Sequence, residues 1–148
     1  MPSAKIIHAT RNPLDNILSM LRANLTSGHS FTASAVDSAL VIIEQERLMR
    51  TFKKIFPQKI YTYSYDKLVN DPQTETRKLL AWLGFDWSAS YLDFYKHKQI
   101  ISTASAMQAR QPISNKSVGG WKKYSFLLEP ARQLLHESNL FTEESLSQ

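Results

Sequence analysis

Residues 5–19 read KIIHATRNPLDNILS, a short apolar run that passes through an arginine into the start of a helix. Ile6, Ile7 and Ala9 fit a strand buried on both faces. Asn12 fits an N-cap, Pro13 the first helical position, and Asp15 an acid in the first turn. Arg11 therefore falls at the carboxyl end of a strand, beside a helix N-terminus. Ligands bind at that edge of open α/β sheets. A guanidinium with paired donors, next to free helix amides, makes a natural anion site. The plainer alternative is an ordinary strand-to-helix junction, with Arg11 solvated and Ser19 bonded to its own helix.

Working outward, Thr26 to Ser34 is polar, contains Gly28 and reads as a loop. A long helix is expected from about Thr32 to Phe56, with Ser34 or Thr32 as its N-cap and Pro57 as its stop. Leu40, Ile43, Leu48, Phe52 and Ile55 set out its apolar face, and the run 41–43 (VII) makes its middle apolar nearly all round. Lys59 to Ser64 (KIYTYS) alternates and is rich in β-branched and aromatic residues, as a second strand would be. A strand, a helical crossover and a strand imply parallel pairing with a right-handed connection. Asp71, Pro72 and Glu75 then read as N-cap, N1 and first-turn acid of a helix that places Trp82 and Leu83 in the core and ends at Gly84. No repeat or linker divides the chain, so a single domain over residues 1–148 is expected.

Composition narrows the function classes. The 148 residues are 43% hydrophobic with three tryptophans, which argues for a packed core over disorder. Without cysteine there is no disulfide framework, thiolate metal site or cysteine nucleophile. His8, His29, His97 and His136 are scattered without metal-ligand spacing, so no metal is expected. His8 lies three residues before Arg11, on the opposite strand face, and reads as a packed residue. The sequence opens directly into a strand and has no apolar run of membrane-spanning length, from which a cytoplasmic protein without membrane contact is expected. A net charge of +5 suits an anionic ligand, and suits nucleic acid as well.

Residues 103–124, TASAMQARQPISNKSVGGWKKY, show almost no helix or strand pattern for a dozen residues. Loops of that length inside compact domains are usually functional. Ser105, Gln108 and Arg110 offer hydroxyl, amide and guanidinium groups, and Ser117 to Gly120 allow close backbone approach to an anion. Trp121 is expected to dock the loop on the core.

Three separated segments resemble the sulfotransferases that use 3′-phosphoadenosine 5′-phosphosulfate (PAPS). Residues 5–19 resemble the family's 3′-phosphate segment, in which a serine follows the arginine eight residues later; the resemblance assigns that role to Arg11 and Ser19. Tyr65-Asp66-Lys67-Leu68, followed by Asn70-Asp71-Pro72 and a leucine-rich helix, is similar to the family's Tyr-Glu-Asp-Leu segment. This implies that Tyr65 contacts adenine, a role suited to a flat apolar ring with one polar tip. Residues 103–124 resemble the nucleotide loop of the tyrosylprotein-sulfotransferase-like branch, often joined in bacteria to tetratricopeptide repeats. The resemblance thus implies cofactor-binding roles for Ser105, Gln108, Arg110, Ser117 and Gly119. The family commonly has Arg or Lys directly before the tryptophan, where this chain has Gly120.

The implied fold is α/β: part of a P-loop-like sulfotransferase fold, with a short parallel sheet flanked by helices. The implied reaction moves a sulfuryl group from PAPS to an acceptor hydroxyl or amine. In the family a glycine-rich loop (Lys/Arg-x-Gly-Thr/Ser-Thr/Ser) holds the 5′-phosphosulfate, and the catalytic base lies near it. Glycines stand here only at 28, 84, 119 and 120, and none opens such a loop. The expectation is therefore a carboxyl-terminal portion that supplies the 3′-phosphate and adenine side, inactive alone, with the amino-terminal part or a repeat region as a partner. No catalytic residue or acceptor is assigned. The alternatives are a binding-only remnant or interaction module and, ranked below it, a nucleic-acid-binding domain resting on 47–54 (RLMRTFKK) and 121–124 (WKKY).

Overall fold

The computed structural model describes residues 4–23, 28–96 and 111–147. Ser105, Gln108 and Arg110 lie outside the described residues. The described chain is helix-rich with one two-stranded parallel sheet, an α/β architecture. It divides into two compact units, residues 1–10 with 61–115 and residues 11–60 with 116–148.

The first unit carries the sheet. Strand β1 (Ile6–Thr10) pairs with β2 (Ile60–Ser64), whose first residue marks the boundary between the units. The short helix α3 (Tyr65–Asn70) follows, capped by Ser64 Oγ accepting the Lys67 N–H, and then α4 (Pro72–Leu83). Asp71 caps α4 by accepting the Thr74 N–H at 3.1 Å, with Pro72 at the helix start and Glu75 in the first turn. Gly84 closes α4 in the left-handed region (φ 88°), where a side chain would be strained.

Two sequence expectations are corrected in this unit. Strand β1 is not buried on both faces: Ile6 and Ile7 are 50% and 44% exposed, and His8 is its one buried residue. A two-stranded sheet leaves β1 an open edge, so an apolar sequence does not by itself secure cover. Trp82 and Leu83 are only partly buried. Trp82 packs its ring against Tyr61 (5.3 Å between centroids), while Lys5 lies 5.0 Å over that ring and its Nζ donates to the Trp82 carbonyl at 2.5 Å. The tryptophan thus joins strand to helix at the surface.

The second unit holds the core. Helix α1 (Pro13–Ala23), α2 (Ala35–Ile55), α5 (Ser125–Glu137) and α6 (Glu143–Ser147) enclose Leu14, Ile17, Ile43, Leu128, Leu135 and Leu146. Ser34 is the N-cap of α2, accepting the Asp37 N–H, after a 3₁₀ turn over Ser30–Ala33. The expected apolar face of α2 is rotated. Ser38, Ala39, Ile42 and Ile43 face inward against α1 and α5, whereas Leu40, Leu48, Phe52 and Ile55 are exposed, Ile55 by 59%. Small residues decide this: Ala39 lets helices approach, and Ser38 turns its hydroxyl to the Phe31 carbonyl at 3.0 Å. Hydrophobicity alone points to the wider stripe.

Candidate functional site

Residues 11–15 organise the second unit around the start of α1. Asn12 Oδ1 accepts the N–H groups of Leu14 (3.0 Å) and Asp15 (3.1 Å), and its carbonyl accepts the Asn16 N–H. Pro13 has no N–H. The first amides of α1 are therefore closed by its own cap, which corrects the expectation of free helix amides beside Arg11. Asn12 Nδ2 also donates to the Ser145 carbonyl at 2.9 Å, fastening α6, whose Leu146 is fully buried.

Arg11, half-buried, donates from Nη2 to the Ser117 carbonyl at 2.8 Å. That bond directs the guanidinium with a neutral acceptor and leaves its positive charge intact. Four residues on, Asp15 is 2% exposed and its two oxygens take one main-chain amide each: Gly119 N–H to Oδ2 at 2.7 Å, and Trp121 N–H to Oδ1 at 2.9 Å. Gly119 adopts φ 69°, the left-handed geometry that lets a turn at 116–119 lead into the 3₁₀ segment Gly120–Tyr124. Its side chain buried, Trp121 belongs to the core cluster and docks the loop as its sequence position suggests.

The concave backbone at Gly119–Trp121 is therefore an anion-accepting arrangement whose anion is the protein's own carboxylate. Ser117 is exposed at the outer end of the same turn. Ser19, one helical turn after Asp15, is exposed, and Arg22 lies 5.0 Å over the Tyr124 ring. Arg11, Ser117 and Gly119 are thus brought together within one unit. In the other unit Tyr65 opens α3, half-buried. Sequence reasoning gave Asp15 only the role of a first-turn acid. Its second role depends on partners 104 and 106 residues away, which local pattern does not reveal.

Arg11 carries a guanidinium and Ser19 and Ser117 carry hydroxyls, groups of the kind that phosphate oxygens accept from; of the three, Arg11 and Ser117 are joined by a hydrogen bond. Among the described residues no cluster of three or more His, Asp or Glu side chains is placed to hold a metal ion, and no helix is long and apolar enough to cross a membrane.

The structure defines an α/β chain in which the start of α1 holds a glycine turn through a buried carboxylate. Comparison with known families is more specific. The model of the sulfotransferase family matches residues 1–89, well over half of the chain and including Arg11, Ser19 and Tyr65. The chain belongs to the sulfotransferase family. An uncharacterized protein of Aquifex aeolicus (strain VF5) is 32% identical over 139 residues, which is 92% of this chain and 18% of that relative. The chain thus spans less than a fifth of the length of the curated relative it matches.

Proposed function

We propose that this chain supplies the 3′-phosphate and adenine side of a PAPS-dependent sulfotransferase site. Arg11 and Ser19 take the 3′-phosphate, Tyr65 takes the adenine, and Ser105, Gln108, Arg110 and Ser117 complete the nucleotide contacts, while Gly119, whose N–H is held by Asp15, shapes the turn that bears Ser117. PAPS supplies the activated sulfuryl group, which passes to an acceptor hydroxyl or amine and leaves adenosine 3′,5′-bisphosphate. The role of these residues is to bind and orient the nucleotide, which lowers the barrier by positioning. The 5′-phosphosulfate loop and the base belong, in this proposal, to an amino-terminal portion of the site. Membership of the tyrosylprotein-sulfotransferase-like branch, with its tetratricopeptide-repeat regions, is part of the same proposal and rests on residues 103–124.

The supporting observation is the placement of Arg11. It stands within the family-matched span, at the strand-to-helix junction, and is aimed by the Ser117 carbonyl. A charge-assisted contact of this kind contributes about 1.5–3 kcal/mol, so Arg11→Ala should weaken adenosine 3′,5′-bisphosphate binding by about ten- to a hundredfold. AMP, which lacks the 3′-phosphate, should bind as before. Titration calorimetry of both nucleotides decides the matter, and equal losses for the two would remove the assignment. A binding-only module would pass the same test without ever labelling an acceptor. Incubating the 148-residue chain with radiolabelled PAPS and phenol, sugar and peptide acceptors is expected to give no labelled product; labelling abolished by Arg11→Ala would show a more complete active site.

A further inference from the structure

We propose that Asp15 is the positioning residue of the nucleotide site, acting through the 116–119 turn on the guanidinium of Arg11; this rests on the reading of Arg11 given above. A carboxylate buried to 2% exposure must be matched by donors or it destabilises the fold. Asp15 is matched by two main-chain amides and fixes the inner end of the turn at Gly119 and Trp121. At the outer end the Ser117 carbonyl accepts from Arg11. Arg11 and Asp15 lie on either side of the Asn12 cap of α1, so this junction grips the loop at two points, with the proline ring of Pro13 fixing φ between them.

The consequence concerns the arginine more than the loop. An arginine side chain loses rotamer freedom when it binds an anion, and each anchor made beforehand lowers that cost. The Ser117 carbonyl is such an anchor only while the turn stays in place. The turn contains a glycine at φ 69°, and because glycine has wide backbone freedom its conformation is selected by the bonds made on either side of it. Asp15 accepts two of those bonds. Asparagine at this position would keep one acceptor oxygen and turn an N–H donor toward a backbone N–H, so one of the two amides would lose its partner.

The test measures binding of adenosine 3′,5′-bisphosphate and AMP to the full chain as wild type, Arg11→Ala, Asp15→Asn and the double variant. Asp15→Asn is expected to weaken bisphosphate binding about tenfold and to leave AMP within about twofold. The double variant should be no worse than Arg11→Ala, because Asp15 acts through the arginine. A role in stability alone would change both nucleotides equally and would add to Arg11→Ala; either result overturns the proposal. Loss of 3′-phosphate selectivity in Arg11→Ala but none in Asp15→Asn overturns the proposal and leaves the reading of Arg11 standing. No selectivity change in Arg11→Ala removes that reading instead. Should Asp15→Asn fail to fold, Gly119→Ala disturbs the same link from the loop side. It is expected to lower bisphosphate affinity selectively, and unchanged selectivity in that variant overturns the proposal.

Discussion

Asp15 and Trp121 stand 106 positions apart, yet the Trp121 N–H donates to the Asp15 carboxylate at 2.9 Å. Gly120 lies between the two amides that this carboxylate holds. A Cβ built there would meet Asp15 Oδ1 at 3.6 Å, an ordinary contact, so the position accepts a side chain.

Gly120→Arg follows from that space. It restores the basic residue that the resembling family commonly places before the tryptophan. The variant is expected to fold normally and to bind adenosine 3′,5′-bisphosphate about three- to tenfold more tightly, as one added charge-assisted contact allows. Titration calorimetry with a thermal melt checks it, and weaker binding by a folded variant would count against a phosphate contact at this turn.

Asn12 caps α1 and ties down α6 at once. Asn12→Ala should cost about 1–3 kcal/mol, the sum of a lost cap and a lost buried hydrogen bond. Asn12→Asp keeps the cap acceptor but sets a carboxylate oxygen against the Ser145 carbonyl, so its cost reads the loss of the tie to α6 together with that repulsion. Urea denaturation of the three proteins separates the two contributions: equal losses in both variants would mean that the cap contributes nothing, and an Asn12→Asp as stable as wild type would mean that the tie to α6 contributes nothing.

The exposed stripe on α2 separates two accounts of that helix by magnitude. Truncating a core aliphatic residue costs about 2–5 kcal/mol, whereas a surface substitution stays within about 0.5 kcal/mol. Ile43→Ala should fall in the first class, Leu48→Ala and Ile55→Ala in the second. Exposed apolar groups should also bind a fluorescent apolar dye, and Leu48→Gln with Ile55→Gln should reduce that signal. Large destabilisation at Leu48 would mean the stripe is covered.

Asp71 gives a pH dependence with a definite sign. Its hydrogen bonds from Thr74 hold its carboxyl below the usual value of 3.8. A group with a lowered folded pKa stabilises above its unfolded pKa and loses that contribution as pH falls through the folded value. Wild type should therefore exceed Asp71→Asn in melting temperature above about pH 4, with the gap closing in more acidic buffer. A gap that widens on acidification would reverse the assignment.

The local grammar of this chain was legible residue by residue. Asn12 and Pro13, Asp71 and Pro72, and Ser34 mark helix starts because caps depend on neighbours within three residues. The two strands and the helical crossover between them follow from period and β-branching, and of the three ordered motifs that carry the family resemblance, those at 5–19 and 65–72 lie within the match over residues 1–89. Burial was not legible in the same way. Which side of α2 faces inward, and how little of β1 is covered, depend on partners that a periodic pattern cannot name. The same holds at the candidate site. Sequence offered an arginine beside open helix amides; the folded chain closes those amides with Asn12 and gives the glycine turn an internal anion in Asp15. Short-range hydrogen bonds and periodicity are written in neighbouring residues, whereas the grip of α1 on residues 117–121 exists only once segments a hundred residues apart share one core.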